Sequence, residues 1–484
     1  MRVKKQNVQN NVKTKTQPSD LRTYLEELGD YVVEINDEID PVHQAAILSS
    51  ESDRPYMLNN LKGFPDFRLC DILIPDRQRQ AVAFDVEPHE VVPYLADVIY
   101  NKEPAKEVMV PASEAPCKEV KYIGDDADVT KLPIPIHSIG DSGQYLGSGI
   151  TITRDPDTGV RNEAFIRAQV KDPKKVPFWM AARHNWNHYL KYAERNEPMP
   201  MAFAIGAHPA YDVMVNYSGR HDDFDELQLG ASVLDEDLHM VKCETIDLEV
   251  PAYSEIVIEG MVHPTDRLPE GPFGEFTTYI KGAEGPAPVW EITAITHRKN
   301  PIFRHIQSTH FTDHQALVAL PMEATMYHRL REVHGFTDVH DVFVPPWASL
   351  FMCIVQLSPK WDGQARDTLL SALAGVNLHP KIVIGVDKDV DLYNAQDILW
   401  AISTRVDPAK DVHVIPHERI HPLDISVPLI GDYTSLRVGG KMFIDATKPA
   451  AWRKEEHAMF RRVDPSGFDD RSLDPIIQML KKNM

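Results

Sequence analysis

Apolar positions near the start of the chain recur at helical spacing. Leu21, Tyr24, Leu25 and Leu28 follow the capping pair Ser19-Asp20, and Gly29 stands where a helix C-cap belongs. Tyr31 to Ile35 reads as a strand and Glu90 to Tyr100 as a helix, so the chain opens with an α/β segment that ends at the proline-bearing stretch Pro111 to Pro116. Beyond Cys117 the period changes. Short alternations at Gly149 to Thr153, Phe165 to Val170, Ser254 to Val262 and Val289 to Thr296 lie between Pro- and Gly-bearing turns, the pattern of a barrel or sandwich. One helix near Trp186 to Arg195 interrupts them. The last third returns to α/β: a helix over Met322 to Val333, a buried strand over Leu350 to Leu357, and a helix over Ala365 to Ala374 stopped by Gly375. Lys381 to Val386, Asn394 to Arg405 and Val412 to Ile415 follow as a β-α-β unit.

The 484 residues suffice for about three domains. The pattern divides them into a flexible tail (1–18), an N-terminal α/β segment (19–116), a central β-rich domain (117–320) and a C-terminal α/β domain (321–484), a mixed α+β class. The tail carries Arg2, Lys4, Lys5, Lys13 and Lys15 without an apolar core, so it does not read as a signal peptide. No stretch approaches the roughly 20 apolar residues of a membrane span. Cys70, Cys117, Cys243 and Cys353 are scattered, which argues against a disulfide framework and fits a reducing cytoplasm. The formal charge of −21 disfavours a nucleic-acid partner. It also raises a local question, because an anionic substrate or cofactor needs concentrated positive groups.

Several chemistries are excluded by motif. Gly147-Ser148-Gly149 is the nearest match to a dinucleotide fingerprint, but it runs into a strand. Asp387, Asp389 and Asp391 imitate a calcium loop, yet Leu392 and Ile398 stand where Gly and Glu are needed. His184 and His188, four apart, would share a helical face but need a third ligand from elsewhere.

The most informative stretch is Glu270-Gly271-Pro272-Phe273-Gly274-Glu275, where a rigid turn brings two carboxylates together. Such pairs let one member stay ionised while the other carries a proton; the bland reading is a surface loop with two solvated Glu residues. Asn162 to Arg167 offers an oxygen ligand and an arginine in a predicted strand, and Asp225-Glu226-Leu227 and Val241 to Glu244 complete the set.

Together and in this order these stretches resemble the UbiD-type reversible decarboxylases, which use prenylated FMN. Asp155 to Asn162, Asp247 to Ala252, Ile295 to Arg298, Val386 to Asp391 and Trp400 to Arg405 match as well, so the resemblance runs from about Leu21 to Lys448. It implies a central split β-barrel that binds the flavin and a C-terminal three-layer α/β oligomerisation domain. Glu275 matches the proton donor, and Arg167 with Glu270 the assisting ion pair. Asn162, His184 and Glu226 match the ligands of a divalent cation, Mn2+ or Mg2+, with K+ nearby; a shortened segment before Pro200 leaves His188 as a competitor of His184. Lys381 matches a phosphate-contacting lysine, and Phe165, Ile166 and Arg183 line the flavin. His314 falls in the substrate-facing region.

The chemistry agrees. Loss of CO2 from an aromatic or acrylic acid leaves an sp2 carbanion that side chains cannot stabilise, so a cofactor must supply the electron sink. The expected reaction is reversible non-oxidative decarboxylation of an aromatic or heteroaromatic acid, with an α,β-unsaturated acid as the alternative. An ordinary FMN oxidoreductase on a split barrel is a more distant one, since it has no need of the Glu270/Glu275 pair, and a non-catalytic assembly partner would have lost some of Arg167, Glu270 and Glu275. The implied partners are the small acid and CO2, a flavin prenyltransferase that supplies the cofactor, and a second copy of the chain as homodimer or larger assembly, with neither nucleic acid nor membrane.

Overall fold

The computed structural model describes residues 18–180, 183–218, 225–281, 285–309, 313–374, 380–428 and 437–463, with isolated positions beyond. The tail, but for Pro18, and the predicted helix stop at Gly375 lie outside these. The class is mixed α/β, as expected.

The first helix spans Leu21–Leu28, with Asp20 accepting from the Thr23 N–H in a capping box and Gly29 at φ +50° closing it. It lies against an N-terminal sheet of Val33–Ile35, Tyr56–Leu58 and Arg68–Asp71, whose fourth strand, Ile302–Arg304, arrives from far along the chain. The central sheet runs in the order Lys175–Pro177, Gly285–His297, Ile256–Glu270, Met199–Ile205, Gly149–Arg154 and Arg161–Phe165, and Val120–Ile123 also pairs with Gly285–His297. Its interior is apolar and tightly packed: Trp290 is fully buried and stacks on Phe203 with ring centroids 5.0 Å apart. In the C-terminal sheet the order is Val339–Phe343, Met352–Leu357, Ile382–Val386, Arg437–Asp445 and Val412–Ile420.

Three predicted elements differ. The strand placed over Phe165 to Val170 ends at Phe165, and only Ala168–Gln169 pairs again, with Tyr145–Leu146. Arg167 sits in the break, its side chain drawn to the carboxylates of Glu270 and Glu275. The helix predicted over Met322 to Val333 begins at Asp313 and passes through Pro321, its last turn widening over Arg329–Val333. Asp313 holds its start by accepting from the Leu73 and Ile74 N–H groups. The strand at Val412 extends to Ile420 and runs antiparallel to Arg437–Asp445. The parallel β-α-β unit is instead Met352–Leu357, helix Gln364–Leu373 and Ile382–Val386.

The helix Asp313–His328 joins the N-terminal and C-terminal parts. Tyr100 stacks on His328 at 3.8 Å, and Arg77 pairs with Glu323, which also accepts from the Val344 N–H at 2.8 Å. At its N-terminal end Arg304, wholly shielded from solvent, pairs with Asp71 (3.0 Å) and Asp313. Removing one partner of a buried pair leaves an uncompensated charge. Arg304→Met is therefore expected to destabilise the chain by about 3–5 kcal/mol, read as a lowered denaturant midpoint; an unchanged midpoint would remove the network from the frame.

Candidate active site

Strand Ile256–Glu270 delivers Glu270 at its very end. The chain then turns through a cis Gly271–Pro272 bond, with Gly271 at φ +93°, where a side chain would be strained. Phe273–Gly274 pairs with Ile280–Lys281, which returns Glu275 alongside Glu270. The turn is held at both ends. Gly271 N–H reaches the Tyr145 hydroxyl (3.2 Å) and Gln169 Oε1 (3.3 Å); Gly274 N–H donates to Asp141 Oδ1 at 2.7 Å, and Ser308 Oγ donates to the Gly274 carbonyl at 2.9 Å. A Cβ at Gly274 would stand 2.9 Å from both Ser138 Oγ and Thr309 Cγ2, so this position needs glycine for closeness.

Arg167 lies between the two acids. Its Nε and Nη2 donate to Glu270 at 2.8 and 3.3 Å, and its Nη1 pairs with Glu275. Trp179 and Phe273 flank the guanidinium at 5.1 and 5.0 Å. Glu270 and Glu275 are 4 % and 8 % exposed. Where the sequence pairs Arg167 with Glu270 alone, the folded chain gives both glutamates the same cation. Two buried carboxylates on one guanidinium leave a surplus negative charge at the site.

A second cluster forms where strand Arg161–Phe165 meets two helices. His184 opens the helix His184–Glu194, and its Nδ1 lies 2.9 Å from Asn162 Oδ1. Asp225 caps the helix Glu226–Val233 by accepting from the Leu227 and Gln228 N–H groups. Glu226 and Glu163 bind reciprocally, each carboxylate accepting the other's backbone N–H at 3.1 Å. Burial pushes Glu226 up to about 7, and Glu163 well above its usual range, with Asp225 and Glu226 adding to the effect. Arg161 grips Asp225, Glu107 and Glu249. Glu163 Oε1 is buried without a hydrogen-bond partner among the described residues. Two oxygens, an imidazole and a surplus of buried carboxylates suit a divalent cation. Among the described residues no three His, Cys, Asp or Glu side chains form a metal-holding group, so such a set depends on Asn162.

The remaining sequence candidates distribute as follows. His188, one turn beyond His184, bonds Thr153 Oγ1 at 2.9 Å and lies 3.9 Å from Asp155, so His184 is the imidazole that meets Asn162. Both histidines line a cleft of about 300 Å³ with Asp155 and Lys191. Ile166 is buried in the central core, Phe165 half-buried, and Arg183 donates to Ser218 Oγ at 3.0 Å. His314 faces the Phe276 ring at 6.3 Å; burial lowers its basicity while the Glu275 charge pulls the other way. Lys381 is not gathered with Asn162, His184 and Glu226: it bonds Asp424 (2.7 Å) and Ser426 (2.9 Å) and sits over Phe351, whose ring meets Phe276 at 5.8 Å. Asp141, Tyr145, Gln169 and Ser308, which hold the turn, were not singled out by sequence. Their only signal is that Asp141 and Tyr145 lie in the glycine-rich stretch from Gly140 to Gly149.

Comparison with known proteins gives the family. Residues 108–310 match the model of the 3-octaprenyl-4-hydroxybenzoate carboxy-lyase (UbiD) Rift-related domain, and residues 315–446 that of its C-terminal domain. An uncharacterized protein of Synechocystis sp. is 31% identical over 336 residues, 69% of this chain and 65% of that relative, so less than two thirds of its length is spanned. The UbiD-class enzyme HmfF from Pelotomaculum thermopropionicum, solved with FMN, superposes with a TM-score of 0.84 at 32% identity over 93% of this chain and 98% of its own. An evolved dimeric form of that enzyme was solved with prFMN and gives 0.80 at 32%, with the same coverage. The 3,4-dihydroxybenzoic acid decarboxylase of Enterobacter cloacae gives 0.84 at 26% identity, over 93% and 98% of the two chains. With both domain models matched in order around the Arg167 site, this chain belongs to the UbiD carboxy-lyase family.

Proposed function

We propose that this chain catalyses the reversible, non-oxidative decarboxylation of an aromatic or heteroaromatic acid with prenylated FMN bound. The observation that carries the reading is the trio Arg167, Glu270 and Glu275: two buried acids share one guanidinium, so a group able to give a proton stands beside a cation able to receive a carboxylate. When bound, the flavin supplies the electron sink for the departing carboxylate's electrons. The chain's own residues do the rest. Arg167 meets the incoming carboxylate and releases a glutamate as it does so. Glu275, freed from Arg167, delivers its proton to the carbon that CO2 has left, while Glu270 keeps the guanidinium oriented. Phe273 and Trp179 keep water from the pair.

Asn162, His184 and Glu226 would hold a divalent cation, Mn2+ or Mg2+, at the cofactor phosphate, with K+ beside it. Phe165, Ile166 and Arg183 line the flavin, and Lys381 would reach the phosphate by exchanging Asp424 for it. His314, beside Phe276 and within the field of Glu275, favours a ring-borne acid over an alkenoic one, since an imidazole there can bond a ring substituent. The Enterobacter cloacae relative, which acts on a dihydroxybenzoic acid, supports the same side. The chain works as a homo-oligomer, with a flavin prenyltransferase as the source of its cofactor.

Two outcomes test this. Co-expressed with a flavin prenyltransferase and assayed without oxygen on a panel of aromatic and alkenoic acids, the wild-type chain should release CO2; Glu275→Gln should retain flavin yet lose about a hundredfold or more of the rate and of solvent-deuterium exchange into product. Full activity in that variant would remove Glu275 from the role. Independently, Glu226→Gln should weaken Mn2+ binding by about tenfold or more, measured by titration of the flavin-free chain; equal affinity would displace Glu226 from the ligand set.

A further inference from the structure

Behind the glutamate turn three deeply buried polar atoms stand together without a hydrogen-bond partner among the described residues: His137 Nδ1, His305 Nε2 and Gln307 Oε1. All three side chains are more than nine-tenths shielded from solvent. The two imidazoles face each other with centroids 5.1 Å apart, and Gln307 Nε2 donates to the His137 carbonyl at 2.6 Å and to Thr309 Oγ1 at 2.9 Å. Buried polar atoms are satisfied in folded proteins, and a cluster of orphans is what an internal water resolves.

We propose that His137, His305 and Gln307 bind one internal water, and that through it His137 acts as a positioning residue for Glu275. The donors and acceptors balance around a single molecule. His305 Nδ1 lies 2.9 Å from Asp71 Oδ2, so its proton points there and Nε2 is left as an acceptor. Gln307 Nε2 is already spent on two acceptors, which leaves Oε1 as a second acceptor. The water donates to both and accepts from His137 Nδ1–H. A neutral His137 is required, and burial pushes this imidazole down to about 3.

The link to the turn is continuous. His137 N–H and Ser138 N–H donate to Asp141 Oδ2 at 3.1 and 2.9 Å, and the other oxygen of Asp141 receives Gly274 N–H, next to Glu275. The His137 ring also meets the Phe273 ring edge-on at 5.8 Å. On the far side the water reaches the Asp71–Arg304–Asp313 network through the His305 ring, whose Nδ1 meets Asp71, so the N-terminal sheet and the glutamate turn share one anchor.

The activity arm of the test rests on the decarboxylase reading, and the crystallographic arm does not. A high-resolution crystal structure of the wild-type chain should show density for one water within hydrogen-bond reach of all three atoms; its absence there overturns the proposal. Asn places a polar atom near the position of Nδ1, Gln near that of Nε2, and Phe neither. His137→Asn should therefore keep the water and most of the rate. His137→Gln and His137→Phe should lose the water and about ten- to a hundredfold of kcat, with KM and flavin retention unchanged. Should the Phe variant fail to fold, the contrast between Asn and Gln decides. Wild-type rates in His137→Gln, or equal losses in His137→Asn and His137→Gln, overturn the proposal while leaving the decarboxylase intact. A wild-type chain that releases no CO2 from any acid overturns the decarboxylase reading instead, and the water density then decides alone.

Discussion

One guanidinium shared by two buried carboxylates is the constraint around which the central part of this chain is arranged. Arg167 can reach Glu270 and Glu275 at once only because its strand breaks after Phe165 and because the turn after Glu270 doubles back within six residues. In water such a mismatch would matter little. In a site where the two acids are only 4 % and 8 % exposed, the surplus charge is poorly screened.

Comparison with the buried Arg304 shows why the same arithmetic has different consequences in two places. Arg304 also faces more than one acid, Asp71 and Asp313, with Asp212 3.9 Å away. There, backbone N–H groups take up the excess: Ile72 donates to Asp71 (2.7 Å), and Leu73 and Ile74 donate to Asp313 (2.6 and 2.9 Å). Amides fixed by the fold offset part of the cost of burying these carboxylates, and burial still holds Asp313 above its usual range. Among the described residues no backbone N–H donates to the Glu270 or Glu275 carboxylate. The turn's amides go instead to Asp141, Tyr145 and Gln169, which hold its path and leave the two acids to Arg167.

What the sequence made legible follows the range of the interaction concerned. The helix Leu21–Leu28 is bounded by Asp20 and Gly29, and the helix Ala395–Arg405 by Asn394, so local chemistry states both plainly. Glu270, Glu275 and Arg167 were legible because a six-residue motif and its family resemblance mark them. The bond from Gly274 to Asp141 spans 133 positions and leaves no period to detect. Pro321 reads as a helix breaker, but the helix start is set eight residues earlier by Asp313 and its contacts with a distant segment. The direction of Val412–Ile420 likewise depends on pairing with Arg437–Asp445 and not on its own residues.

The acidic balance of the chain bears on the order of events at the site. Of the positive groups that the sequence nominates to receive an anion, Arg167 is held by two glutamates and Lys381 by Asp424. Arg161, next to Asn162, is ringed by Glu107, Asp225, Glu249 and Glu163. Around Asn162 and Glu226 acids therefore outnumber bases, and a phosphate arriving alone meets repulsion from a partly buried, weakly screened cluster. On the proposed function, a divalent cation held by Asn162, His184 and Glu226 would reverse that field in one step and supply the coordination the buried carboxylates lack. Each would then raise the affinity for the other, because linkage is reciprocal. On that reading, an acidic chain would accommodate an anionic cofactor and an anionic substrate not by abundance of basic residues but by making cation and anion binding a single cooperative event.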